Sequence, residues 1–105
     1  MMPYARTFDS YRIAIGNLGF GIVEWIECYY SNDLVGKIYF TGYNDLEAGL
    51  MQKESGGDYI VVGYPPSEFD KILSLLRNER PLAIWYNKNA QTYGIVTASL
   101  QPVGG

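Results

Sequence analysis

The clearest hydrophobic pattern in the chain lies in Pro-Pro-Ser-Glu-Phe-Asp-Lys-Ile-Leu-Ser-Leu-Leu-Arg-Asn-Glu-Arg-Pro, residues 65–81. Phe69, Ile72, Leu73 and Leu76 recur at i, i+3, i+4 and i+7, the signature of one helix face. Ser67 is a suitable N-cap with Asp70 three positions on, a shorter relative of the capping box. Glu68 and Asp70 complement the positive end of the helix dipole, and Arg77 and Arg80 lie near its negative end. Asn78 tolerates the left-handed conformation that ends helices, and Pro81 forbids continuation. The pattern therefore predicts an α-helix from about Ser67 to Asn78, with its apolar face on a sheet.

The other apolar runs are short and read as strands. Tyr11 to Ile15 leads into the turn signal Gly-Asn-Leu-Gly, followed by a long run from Phe20 to Tyr30 and a turn at Ser31-Asn32-Asp33. Val35 to Thr41 is rich in β-branched and aromatic residues. Tyr59 to Tyr64 reads as a buried strand, and Leu82 to Tyr86 with Thr92 to Leu100 as a hairpin around Asn-Lys-Asn-Ala-Gln. Residues 42–58 admit two readings. Asn44 with Glu47 suits a short helix through Met51, which Gly49 weakens. The favoured reading is a strand around Ala48 to Lys53, turned by Ser-Gly-Gly-Asp into Tyr59. The final Gln-Pro-Val-Gly-Gly has the composition of a tail. Strands followed by one helix and a last hairpin indicate an α+β, mostly β fold. The expected architecture is a curved antiparallel sheet or partial barrel of about six to seven strands with one α-helix, forming a single domain over residues 1–105.

Composition narrows the chemistry. The chain has no histidine and one cysteine, Cys28. Histidine is the side chain that titrates near neutrality and the commonest metal ligand. His-based triads, His general bases and His-ligated zinc are thereby excluded, as are an internal disulfide and a CxxC site. No metal site and no cofactor are expected. Net charge is −3 and the charges are scattered, with no basic stripe of the kind nucleic-acid binders carry. Neither nucleic acid nor a membrane is an expected partner. The N-terminus lacks the apolar stretch of a signal peptide, so a soluble, cytoplasmic protein is the expectation. Ten Tyr, four Phe and two Trp stand out, and they suit a β-rich core or an interface.

Several constellations invite a chemical reading. Glu24 and Glu27 are the first carboxylate pair to consider, but residues three apart on a strand point to opposite faces. Glu24 shares parity with Phe20, Ile22, Ile26 and Cys28, which would send it coreward unless a bulge near Trp25 or a wet strand end intervenes. Gly-Asn-Leu-Gly-Phe-Gly, residues 16–21, lacks the following helix that phosphate loops require and reads as a turn. Cys28 has no histidine to activate it and sits mid-strand, as a small buried apolar residue does. Arg77, Glu79 and Arg80 read as dipole complementation and surface ion pairing.

No catalytic residue emerges. The expected role is a non-catalytic protein-interaction or self-assembly domain, whose partner is another protein or a second copy of itself as a homodimer. Exposed strand edges on a small sheet favour such pairing. The alternative is a small-molecule binder with an aromatic pocket lined by Glu24, Trp25 and Tyr39. An enzyme working through Glu or Tyr ranks below both.

Overall fold

The computed structural model describes residues 4–19, 21–41, 49–89 and 91–98. The chain is α+β and mostly β. Its strands are β1 (Tyr4–Phe8), β2 (Ser10–Asn17), β3 (Ile22–Tyr30), β4 (Asp33–Phe40), β5 (Gly49–Gln52), β6 (Asp58–Tyr64), β7 (Leu82–Asn87) and β8 (Thr92–Thr97). A 3-10 turn at Pro66–Glu68 and the helix α1 (Phe69–Asn78) separate β6 from β7. The strands form a five-stranded sheet in the order β2-β3-β4-β6-β5 and a three-stranded sheet β1-β7-β8. Five pairings are antiparallel, and β4 with β6 is parallel.

This corrects the expected sheet in three respects. The described residues hold eight strands rather than six to seven, in two sheets that do not close into a barrel. One pairing is parallel, because β5 folds back to the outer side of β6 and leaves β6 to add beside β4. The additional strand, β1, pairs with β7 in the register Tyr4↔Tyr86 to Phe8↔Leu82, a contact between distant parts of the chain that no local pattern announces. Within residues 42–58 the favoured hairpin is present. β5 pairs with β6 from Gly49↔Val61 to Gln52↔Asp58, through a turn in which Gly56 and Gly57 take φ of 97° and 83°. The Asn44–Glu47 cap, Ala48, Phe20, Leu100 and the Gln-Pro-Val-Gly-Gly tail lie outside the described residues.

The core forms where the inner faces of the two sheets meet. The chain passes from β1 to β2 through Asp9 alone, so the sheets share a corner. Ile26 and Cys28 on β3, Ile38 and Phe40 on β4, and Ile60 and Val62 on β6 follow the two-residue period of a strand. They meet Phe8, Leu82, Ile84 and Tyr86 from the smaller sheet, and Ile72 and Leu76 from α1. At the centre, Ile84 packs onto Gly36. A β-carbon at residue 36 would stand 2.9 Å from both Cδ1 and Cγ2 of Ile84. The tyrosine Tyr93 fixes the second sheet to the first by donating its hydroxyl to the carbonyl of Gly63 at 2.5 Å.

The helix buries Ile72, Leu73 and Leu76, as its periodicity requires, and Phe69 meets Phe40 edge-on at 4.9 Å. The C-terminal boundary at Asn78 is as expected, but the capping at both ends differs. Ser67 lies within the 3-10 turn instead of capping the helix, and Glu68 at the cap position makes no side-chain cap bond. The two prolines set up the tighter turn, in which the Glu68 amide donates to the Pro65 carbonyl at 3.0 Å. Asn78 remains helical and donates its side-chain amide to the Ser74 carbonyl at 2.8 Å. Termination falls to Glu79, which is extended at φ −122°.

Because Ile84 is fully buried, it has no open space into which to retreat from a larger residue 36. A Gly36→Val variant is expected to lose about 1–3 kcal/mol of unfolding free energy, the usual cost of overpacking, as measured by urea unfolding followed by circular dichroism.

Candidate functional site

The five-stranded sheet offers two distinct surfaces. Its outer face is organised by Glu27, the one buried charged side chain among the described residues, at 7% exposure. Trp25, Glu27 and Tyr29 alternate along β3 and so share this face. Cross-strand register brings Arg12 of β2 and Lys37 of β4 to either side of Glu27. Trp25 Nε1 donates to Oε2 at 3.0 Å. Oε1 accepts from Tyr29 Oη at 2.7 Å and from Arg12 Nε and Nη2 at 2.9 and 2.5 Å.

These bonds set the chemistry of the carboxylate. Burial is the largest influence and pushes its pKa up. The hydrogen bonds from Trp25, Tyr29 and Arg12, with the guanidinium charge, together outweigh burial and hold Glu27 at about 2. The same bond to Glu27 raises the pKa of Arg12 and of Tyr29. An ionised carboxylate so fully engaged is a poor proton carrier, since general acid–base work needs a pKa near the working pH. Burial pushes the Cys28 thiol up to about 12, with the charge of Glu27 adding to the effect. At neutral pH it is a thiol, not a nucleophilic thiolate.

Trp25 and Tyr39 are brought together on this outer face. They are direct cross-strand partners with ring centroids 5.8 Å apart, and the Trp25 ring also lies over Gly16, 3.1 Å from where a β-carbon would stand. Burial raises the pKa of Tyr39. Beside them the Lys37 ammonium sits over the ring of Tyr59 at 5.3 Å. Glu24 does not join this group. It pairs with Phe40 on the opposite, inner face, where it is exposed. No bulge turns it, since the register runs unbroken from Glu24 to Cys28 and shifts only between Cys28 and Tyr29. The parity argument thus places Glu24 on the correct face, at an end of that face that water reaches. The Glu27 cluster escaped the sequence reading, although a carboxylate two residues from both a Trp and a Tyr on one strand is a legible sign of donors converging on an acceptor.

The second surface is the inner face near the β2–β3 turn. Along β2, Tyr11 packs against the core, whereas Ile13 and Ile15 are 44% and 67% exposed. Along β3, Ile26 is fully buried, yet Ile22 is 68% exposed. Register places all of these on one face, through Tyr11↔Cys28, Ile13↔Ile26, Ile15↔Glu24 and Asn17↔Ile22. The exposure has a geometric cause. Pairing of β3 with β4 ends at Glu24↔Phe40, and the hairpin continues past it.

Two grooves flank the helix. One of about 400 Å³ lies between α1 and β8, lined by Tyr64, Ile72, Leu75 and Ile95. The other, of about 330 Å³, lies at the β1–β2 corner, lined by Phe8, Tyr11, Leu76 and Leu82. Glu24, Trp25 and Tyr39 line neither. Among the described residues, no helix is long and apolar enough to cross a membrane, and no three of His, Cys, Asp and Glu gather as metal ligands. No protein-family model, curated protein or solved structure gives a significant match to this chain.

Glu27 makes stability depend on pH with a definite sign. Its folded pKa of about 2 lies below the ordinary 4.5, so its contribution is complete above that ordinary value and is lost as pH falls towards 2. The contribution is on the order of 3 kcal/mol. Urea unfolding from pH 7 to pH 2 is expected to show the native chain more stable than a Glu27→Gln variant at neutrality, with the difference shrinking across that window. A constant difference would remove Glu27 as the source.

Proposed function

We propose that this chain is a non-catalytic protein-interaction domain that docks through the inner face of its β2–β3 hairpin. The observation that carries this reading is the row Ile13, Ile15 and Ile22, at 44%, 67% and 68% exposure on one face. Contiguous apolar surface of this kind marks interaction sites, whereas single exposed apolar residues are commonplace. The row is held by a regular two-stranded ladder in which the exposed Glu24 stands directly opposite Ile15, so a carboxylate lies among the isoleucines. Apolar contacts with a few polar groups set among them are usual at an interface. The engaged Glu27 and the buried thiol of Cys28 favour a binding role over a catalytic one.

A small-molecule ligand is the second reading, supported by the groove of about 400 Å³ between α1 and β8, which reaches the lower range of ligand sites. Its wall includes the exposed Lys71, Ser74 and Asn78, so it encloses a ligand poorly. The hairpin is the better supported site.

Photo-crosslinking in the native cell tests the reading. With a benzoylphenylalanine at residue 15, an adduct is expected at least about tenfold above that from residue 96, an exposed position on β8. An added Ile22→Lys substitution is expected to abolish it. No excess at residue 15 over residue 96 overturns the docking site.

A further inference from the structure

The strand that carries Ile13 and Ile15 is also a free edge. β2 has β3 on one side, and no described strand on the other. Folded proteins blunt such edges with bulges, prolines, lysines or short length. β2 uses none of these. It is eight residues long, pairs with β3 without a register shift, contains no proline or lysine, and has Arg12 as its only charge. The other edges are shorter. β5 has four residues, β1 has five and β8 has six, and the Arg6 side chain of β1 is committed to Asp58 at 2.6 Å.

We infer that this edge pairs with a second copy of this chain beside the docking face proposed above, the two β2 strands running antiparallel about a two-fold axis through Ala14. The register follows from symmetry. A two-fold axis normal to a sheet keeps each face continuous, so paired residues share parity and the axis must pass through a residue. Centred on Ala14, Ile13 lies opposite the partner's Ile15, and Ile15 opposite the partner's Ile13. The isoleucines of both copies then form one apolar ridge, with each Ile22 alongside.

Neighbouring registers are poorer. Centring on Arg12 sets two guanidinium groups against each other, which is unfavourable for directly opposed strand residues. Centring on Ile13 places Ile15 against the partner's Tyr11, which is already packed into its own core. Centring on Ile15 places Ile13 against the partner's Asn17. The Ala14 register also suits the outer face. Arg12 comes opposite the partner's Gly16, which offers no side chain to obstruct it. Within each chain Gly16 is covered by the ring of Trp25. Arg12, bonded to Glu27 of its own chain, therefore meets a glycine rather than its own copy.

Cysteine pairing reads the register directly. Directly opposed residues fall within disulfide reach and diagonal ones largely do not, while the native Cys28 is fully buried. The native chain is expected to sediment as a concentration-dependent dimer of twice 11.8 kDa. An Ile15→Lys variant, at a position already 67% exposed, is expected to sediment as the monomer with an unchanged circular dichroism spectrum. Ala14→Cys alone is expected to form a disulfide dimer at least about tenfold faster than a Val96→Cys control. A mixture of Ile13→Cys and Ile15→Cys chains is expected to cross-link mainly as the heterodimer. A native monomer at millimolar concentration, with Ala14→Cys no faster than the control, overturns the second copy. An adduct from residue 15 of any other mass would still leave the docking site standing. A native dimer that Ile15→Lys dissociates, but that Ala14→Cys does not cross-link, overturns the strand pairing alone.

Discussion

The contact on which the fold turns is Ile84 of the smaller sheet packed onto Gly36 of the larger one, where a β-carbon would come within 2.9 Å. Interiors pack at crystal-like density, so one point of close approach constrains the side chains around it. Ile26, Ile38 and Ile60 around this point are fully buried. The contact also fixes where the smaller sheet sits along the larger one. It lies over the β3 segment that carries Ile26 and Cys28, and leaves the segment that carries Ile22 and Glu24 in water. The exposed apolar row is thus the counterpart of where the two sheets meet.

The two faces of the larger sheet are stabilised by different physics. The inner face is apolar where it is covered. The outer face holds a carboxylate whose burial would raise its pKa, opposed by three donor side chains that hold it ionised. Arg12 of β2 is one of those donors, so the network links the edge strand to β3 by side chains as well as by the backbone ladder. A strand held in that way presents a fixed row of isoleucines on its other face. That rigidity favours association, because less conformational freedom is lost when a partner binds.

The proposed role is binding rather than chemistry. Ion pairs tie separate segments of the chain together, including Arg6 with Asp58 at 2.6 Å and Lys53 with Asp33 at 2.8 Å. Its apolar surplus instead gathers at the projecting hairpin. An unprotected edge beside an apolar row is a liability for a solitary chain and an advantage for one that pairs.

Much was legible without the structure because it is local. The helix followed from the spacing of Phe69, Ile72, Leu73 and Leu76, the hairpin into Tyr59 from Ser-Gly-Gly-Asp, and the opposite facing of Glu24 and Glu27 from the two-residue period of a strand. The helix caps, though not its C-terminal boundary, were misread, because the Pro-Pro pair imposed a tighter turn than a Ser67 cap and Asn78 stays helical with Glu79 extended after it. β1 was missed because its reason to form is β7, far along the chain. Sequence alone determined the period of each element and hence which side chains share a face. Tertiary structure alone decided which stretch of each face is covered, so that Ile26 is buried and Ile22 exposed on one side of one strand. Periodicity is set by backbone geometry between near neighbours. Coverage depends on the meeting of distant segments, such as Phe8 with Leu82 and Gly36 with Ile84, whose packing energy is written in no single stretch of the chain.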